Sequence, residues 1–155
     1  MKIRLLKENE HVPMDLLMLA DPSEAQIDAY LSQSLLFVLE VEEAIVGAIV
    51  ILQRGKMSYE IMNVAVKESE QGKGYGRKMI TFGIGEVDRR GGETLLIATG
   101  NSSIQQLALY QKCGFRMTEI IPNYFIENYA DLIFENGIHC CDRVELTYFI
   151  KERKE

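Results

Sequence analysis

The chain has 155 residues, 47% hydrophobic and 26% charged, with a formal net charge of −6. That length builds one buried core and is short for two. The acidic balance speaks against a nucleic-acid partner, because phosphate binding draws on an excess of Lys and Arg.

No low-complexity tract, like-charge block or internal repeat interrupts the chain, so one domain over residues 1–155 is expected. The opening "MKIRLLKENE" has no apolar core of the kind a secretory signal carries. The longest apolar run, Ala44 to Leu52, contains Gly47 and is too short to cross a bilayer as a helix. A cytoplasmic protein with no membrane partner is the default expectation. Cys113, Cys140 and Cys141 are an odd set with two neighbours, which is no disulfide framework. On a strand, His139, Cys140 and Cys141 would point to alternate faces, so buried thiols are favoured over a metal site and no metal is expected.

In chain order, Lys2 to Leu6 reads as a first strand. "MDLLMLADPSEAQIDAYLSQ" reads as two helical pieces broken at Asp21-Pro22-Ser23, with Ser23 and Gln26 resembling a capping box. Three apolar runs follow: "LLFVLEV", "AIVGAIVILQ" and "MSYEIMNVAV". Their β-branched enrichment and short polar breaks predict an antiparallel meander. The period then changes. Gly76, Met79, Ile80, Gly83, Ile84 and Val87 fall on one helical face, and Arg89-Arg90-Gly91-Gly92 ends that helix. "TLLIATG" is a short strand. "SIQQLALYQKC" is a second amphipathic helix, with Ile104, Leu107 and Ala108 on one side and Gly114 after it. "FRMTEII" and "RVELTYFIK" are closing strands, and "PNYFIENYADLIFENGIHC" between them has no clear assignment. The sum is an α/β (α+β) domain: a mixed, mainly antiparallel sheet of about six to seven strands with about four helices.

Between the meander and the first long helix lies "ESEQGKGYGRKMI", with Gly72, Gly74 and Gly76 at alternate positions. A glycine turn that opens a helix is an anion site, because unpaired amides point outward and the dipole adds partial positive charge. Lys73, Arg77 and Lys78 add full charges. A Walker loop is excluded, since no Ser or Thr follows a Gly-Lys, and a dinucleotide fingerprint is excluded by the G-x-G-x-G spacing. The segment Gln71-Gly72-Lys73-Gly74-Tyr75-Gly76 resembles the Q/R-x-x-G-x-G/A signature of the GNAT superfamily of N-acetyltransferases. "EIMNVAV", the amphipathic helix, "TLLIA" and "ALYQKCGF" follow that family's order from about Leu35 to Phe115.

The resemblance implies a GNAT-like fold and acetyl-CoA as co-substrate. It implies that amides from Gly72 to Arg77 hold the pyrophosphate, with Gln71, Lys73, Gly74, Tyr75 and Gly76 in the same turn. The end of the preceding strand, Val64, Ala65 and Val66, would bond the pantetheine arm like an added strand, with the Val64 or Val66 amide donating to the oxyanion. Tyr110 in "LYQKCGF" matches the tyrosine that faces the thioester sulfur, a proton source for the departing thiolate. Many relatives carry an asparagine seven residues earlier; here that position is Ser103, with Asn101 nearby. Either serves the coenzyme, or Asn101 or Ser102 caps the helix.

Acyl transfer to an amine also needs a base, because the amine is an ammonium ion near neutral pH. Glu60 is the candidate. Strict alternation places it with Met62, Val64 and Val66 on one face, a lone carboxylate among apolar neighbours, with Asn63 opposite, holding structure or substrate. Tyr124, Phe125 and Tyr129, with Glu127 and Glu135, combine flat apolar area and negative charge, which suits an amine; the same segment also reads as a hairpin on the core or a homodimer contact. The activity expected is acetyl transfer from acetyl-CoA to a primary amine of a small molecule. A protein N-terminus or lysine as acceptor, and a non-catalytic acyl-CoA-binding regulatory domain, are the alternatives.

Overall fold

The computed structural model describes residues 1–150; residues 151–155 of the expected domain, including Lys151 at the end of the expected last strand, lie outside that range. The elements are β1 (Lys2–Leu5), α1 (Met14–Leu17), α2 (Glu24–Leu31), β2 (Leu35–Val41), β3 (Ala44–Gln53), β4 (Ser58–Val66), a single 3-10 turn at Glu68–Glu70, α3 (Tyr75–Arg89) and β5 (Thr94–Gly100). Then come α4 (Ile104–Lys112), β6 (Arg116–Ile121), α5 (Tyr124–Asn128), β7 (Phe134–Glu135), β8 (Ile138–His139) and β9 (Arg143–Phe149). Seven strands form one sheet in the order β1-β2-β3-β4-β5-β9-β6, and β7 and β8 form a separate hairpin. Every neighbouring pair in the main sheet is antiparallel except β4 and β5, which α3 connects as a parallel crossover. The mixed sheet expected from the sequence is therefore present, with the short α5 as an added helix.

The unbroken apolar runs of β2 and β3 have a simple cause. Phe37, Leu39, Ile49 and Ile51 face α3, whereas Leu36, Val38, Ala48 and Val50 face α1 and α2. Both faces are buried, so alternation between polar and apolar residues disappears. On the α3 side, Gly83 brings the helix close: a Cβ there would lie 3.2 Å from Ile49 Cδ1. The break between α1 and α2 follows the sequence reading, with the Ser23 hydroxyl accepting from the Gln26 amide at 3.2 Å.

Two local expectations are corrected. In α4, Ile104 and Ala108 are exposed, and Leu107, Leu109, Tyr110 and Cys113 form the inward side. The helix is seated by Tyr110, which the apolar count had not weighted. Nor do Asn101 and Ser102 cap it: Ser103 occupies the N-cap position, and its side chain makes no cap bond.

The second correction concerns β4. Val50 pairs with Asn63 and Ile51 with Ile61, so Met62 is an extra residue, a β-bulge. Tyr59 and Ile61 face α3, and after the bulge Val64 and Val66 face α3 again. Met62 packs in the α1–α2 cluster, and the Asn63 Nδ2 donates to the Leu17 carbonyl at 2.9 Å. Glu60 thus shares a side with Met62 and Asn63, not with Val64 and Val66.

The connection of β2 to β3 is a two-residue turn in which Glu42 and Glu43 have φ of 51° and 68°. The β7–β8 turn adopts the same left-handed pair with Asn136 and Gly137, the residues that conformation favours. Replacing Glu42-Glu43 by Asn-Gly is expected to stabilise the protein by about 1 kcal/mol. A urea titration checks it, and an unchanged midpoint would show that the glutamates relieve their own strain.

Candidate active site

The parallel pairing of β4 with β5 covers only Ser58–Ile61 against Thr94–Ile97. Beyond Ile61 the two strands part, although β4 runs on to Val66 and β5 to Gly100. A cavity of about 360 Å³ opens there. The strand edge exposed in this gap carries main-chain groups that an extended ligand can pair. Val64 lines the cavity, whereas Ala65 and Val66 lie further along the parted strand and outside the lining.

At the end of β4 the chain enters the glycine turn. Gly72 and Gly74 have φ of 82° and 85°, and a Cβ on either would meet nothing within 4 Å. Backbone conformation, not crowding, demands glycine there, and the space before the turn is open. Gly74 is the N-cap of α3 and no side chain caps the helix, so its first amides face that space. These features fit a pyrophosphate held by main-chain amides. Gly76 differs. It sits inside the first turn of α3 without a positive φ, in ordinary contact range of Leu109 and Val66. The Gln71 side chain donates to the Val66 carbonyl at 3.0 Å and ties the turn to β4. Lys73 pairs with Glu70 at 2.9 Å, which raises its ammonium above the usual range. Tyr75 packs against the main core, and Arg77 has no ion pair among the described residues.

Seven predicted site residues other than Val64 meet at the cavity: Glu60, Asn63, Ser103, Tyr110, Tyr124, Phe125 and Tyr129. Tyr110 is 6% exposed, and its hydroxyl has no hydrogen-bond partner among the described residues. Burial, then the nearby Cys113 and Glu135, pushes its phenol well above the usual range, so it stays protonated and able to donate. Ser103 donates to Glu135 Oε1 at 2.5 Å. Asn63 is buried with its Nδ2 on Leu17 and on the Tyr30 hydroxyl, and its Oδ1 has no donor among the described residues.

Two assignments are revised by the contacts. Glu60 is buried but is no lone carboxylate: Arg54 Nε donates to one oxygen and Arg143 to the other, each at 2.9 Å. Its charge is balanced by the protein, and about two of its four lone-pair sites remain. Asn101 lies outside the cavity lining, and its carboxamide is engaged by the chain itself. Its Nδ2 donates to the His139 carbonyl, and its Oδ1 accepts from the Cys141 and Asp142 amides. That network fixes the chain between β8 and β9, a structural role that commits Oδ1 and one of the two Nδ2 protons.

Sequence reasoning missed Arg143, which joins Glu60 and Glu145 and lies 5.2 Å from the centre of the Tyr124 ring. No local motif marks it as part of the site, because its cavity partner Glu60 comes from a distant strand. Asp21 and Tyr30 also line the cavity, although the sequence marks Asp21 only as part of a helix break. Desolvation raises the Asp21 carboxyl, and burial pushes the Tyr30 phenol up to about 12. Among the described residues no group of three or more His, Cys, Asp and Glu is placed to hold a metal, and no helix is long and apolar enough to cross a membrane.

Comparison with known proteins adds to this geometry. The acetyltransferase (GNAT) family model matches residues 7–115. A Bacillus subtilis (strain 168) protein named uncharacterized N-acetyltransferase YvbK is 42% identical over 146 residues, covering 94% of each chain. The crystal structure of a GNAT family acetyltransferase from Elizabethkingia anophelis with acetyl-CoA bound superposes with a TM-score of 0.94 at 40% identity, over 96% of this chain and 97% of that one. An IAA acetyltransferase from Bacillus cereus ATCC 14579 gives 0.91 at 42% identity, over 96% and 98%.

The turn geometry separates its glycines by experiment. Gly74→Ala is expected to cost about 1 kcal/mol through its left-handed φ and to weaken coenzyme A binding about tenfold. Gly76→Ala, in a helical conformation, is expected to leave the melting temperature unchanged or higher. Thermal melts and calorimetric titration with coenzyme A check both; equal effects at the two positions would contradict the turn's division of roles.

Proposed function

Because the chain belongs to the GNAT family of acetyltransferases, we propose that its acceptor is the primary amine of a small molecule held in the cavity between β4 and β5. The protein is an acetyl-CoA-dependent acetyltransferase; the acceptor is the new element. One observation carries it: the acceptor walls are bonded to each other around an aromatic cavity. The Tyr129 hydroxyl donates to Asp21 Oδ1 at 3.0 Å, and Gln26 Nε2 reaches the Asn128 carbonyl at 3.4 Å, so α5 is fastened to the α1–α2 turn. A bounded pocket with Tyr30, Tyr124, Phe125 and Tyr129 in its walls suits a compact ligand with a flat body.

In this reading the amides of Gly72 to Arg77 take the pyrophosphate and the parted edge of β4, Val64 to Val66, takes the pantetheine arm. A main-chain amide of that edge donates to the carbonyl oxygen as negative charge develops there. The acceptor ammonium gives one proton to solvent before attack, and Glu60 receives the second, from the attacking nitrogen, on a lone pair that the arginines leave open. As the new C–N bond forms and the C–S bond breaks, Tyr110 gives its proton to the sulfur. Solvent then returns a proton to Tyr110 and removes one from Glu60. Ser103, bonded to Glu135, shapes the wall beside Tyr110.

Incubation with acetyl-CoA and a panel of small amines, N-terminal peptides and lysine peptides, read as free thiol, tests the acceptor class. Release with small amines is expected, and release with peptides alone overturns the reading. Tyr110→Phe is expected to lower kcat by roughly 10- to 100-fold while the KM for acetyl-CoA stays within about twofold. Unchanged turnover would remove Tyr110 as proton donor. Glu60→Gln is expected to lower kcat by roughly 100-fold; turnover at the wild-type rate would exclude Glu60 as base.

A further inference from the structure

We propose that Asp21 and Asn63 form a receptor for a cationic nitrogen, and that the ligand is an aralkyl ammonium whose ring lies among Tyr30, Phe125 and Tyr129. The inference rests on the small-amine reading above and goes beyond it by naming the recognising atoms and the class of ligand.

The argument begins with charge. The cavity is lined by three carboxylates, Asp21, Glu60 and Glu135, and one guanidinium, Arg143. Arg143 is committed to Glu60 and Glu145 at 2.9 Å each, and Arg54 adds to Glu60 from the other side. Glu60 is therefore neutralised by the protein. Asp21 is not: its Oδ1 accepts from the Ser23 amide at 3.2 Å and from the Tyr129 hydroxyl at 3.0 Å, and no cation pairs with it among the described residues. Both partners are neutral donors, and Oδ2 has none. A half-buried carboxylate in this state leaves a place for a positive charge.

The second observation is independent of charge. Asn63 is 4% exposed and lines the same cavity, yet its Oδ1 has no hydrogen-bond donor among the described residues. The amide orientation is fixed by its neighbours, since the Leu17 carbonyl accepts and must face Nδ2. An orphan acceptor beside a cavity is costly in the empty protein, and a ligand N–H that reaches it on binding satisfies it. An ammonium group has three such protons, enough for Asp21 Oδ2 and Asn63 Oδ1 together.

The two sites are linked through their neighbours. The Asn63 Nδ2 holds the Tyr30 hydroxyl at 3.1 Å, and the charge of Asp21 is felt by both Tyr30 and Tyr129. Phe125 lies tilted against Tyr129 with centroids 5.5 Å apart. Tyr124 already lies under Arg143, so the other three rings remain to contact a flat body and to add cation–π attraction. An anionic ligand would meet Asp21 and Glu135 with no free cation in the lining.

The test uses protein saturated with coenzyme A, titrated calorimetrically at neutral pH with phenethylamine, phenylpropanol and hydrocinnamate. These share a ring and differ in charge. The amine is expected to bind at least about tenfold more tightly than the alcohol or the carboxylate. Asp21→Asn keeps both hydrogen bonds to Oδ1 and removes the charge; it is expected to erase that preference while coenzyme A affinity stays unchanged. A preference that survives in Asp21→Asn, equal binding of the three compounds, or no binding of any of them overturns the proposal. Should Asp21→Asn lose coenzyme A binding through misfolding, Tyr129→Phe is read instead, where a severalfold loss of preference is expected and an unchanged one overturns the proposal. Thiol release from acetyl-CoA with phenethylamine separates the two levels. Charge preference without release supports the receptor and sinks the transferase reading for such amines, whereas release without charge preference does the reverse.

Discussion

The parting of β4 from β5 is the constraint on which the rest of the molecule depends. Four residues of parallel pairing hold the two strands together, and past Ile61 they separate. A sheet that stays closed has no edge in its middle and no room for a ligand. Here the edge is created inside the sheet, where a crossover helix begins, so strand-edge hydrogen bonding and an uncapped helix terminus are offered side by side. One demands a linear partner and the other an anion. A phosphorylated, extended coenzyme has both features.

The bulge at Met62 is what makes this opening useful. Without the extra residue, Val64 and Val66 would continue on the face of Glu60, away from α3. With it, they turn back to the α3 core, and Asn63 is delivered to the cavity beside Glu60. One inserted residue thereby separates two jobs along a single strand. The first half presents side chains to the acceptor, and the second half presents its main chain to the coenzyme.

How much of this was legible in the sequence follows from the range of the interactions. The meander, the Ser23 cap and the α3 face rest on residues within a few positions of one another, and they were read correctly. The glycine turn was legible too, because Gly72 and Gly74 are required by their own φ angles. Gly76 was grouped with them by spacing alone, and the structure gives it a different reason. The differences at the site involve partners from other elements. Asn101 was read as a coenzyme ligand, yet its contacts lie at residues 139, 141 and 142. Glu60 reads as an isolated acid because Arg143 is 83 positions away and Arg54, six positions away, meets it only through the β3–β4 connection. The alternation rule failed at Met62 because pairing with β3, and not local propensity, decides where a strand takes an extra residue.

The treatment of buried charge then separates the acids of the cavity. Glu60 has a side chain only 5% exposed, and a carboxylate so placed is costly unless paired. Its partners are unequal: Arg143 is largely buried, while Arg54 is about half exposed and more screened by water. Arg143 therefore supplies most of the compensation, and it does so from β9, the strand that closes the sheet against β5. The same guanidinium bonds Glu145 and lies over Tyr124, so the charge balance of Glu60 also fixes one aromatic wall. Asp21 stands at the opposite extreme, with neutral donors only, in a turn that its bond to Tyr129 fastens to α5. A cavity in which one acid is neutralised from within and another is left to be neutralised by the ligand discriminates by charge without any loss of internal order. The fold stabilises the first and the bound cation stabilises the second.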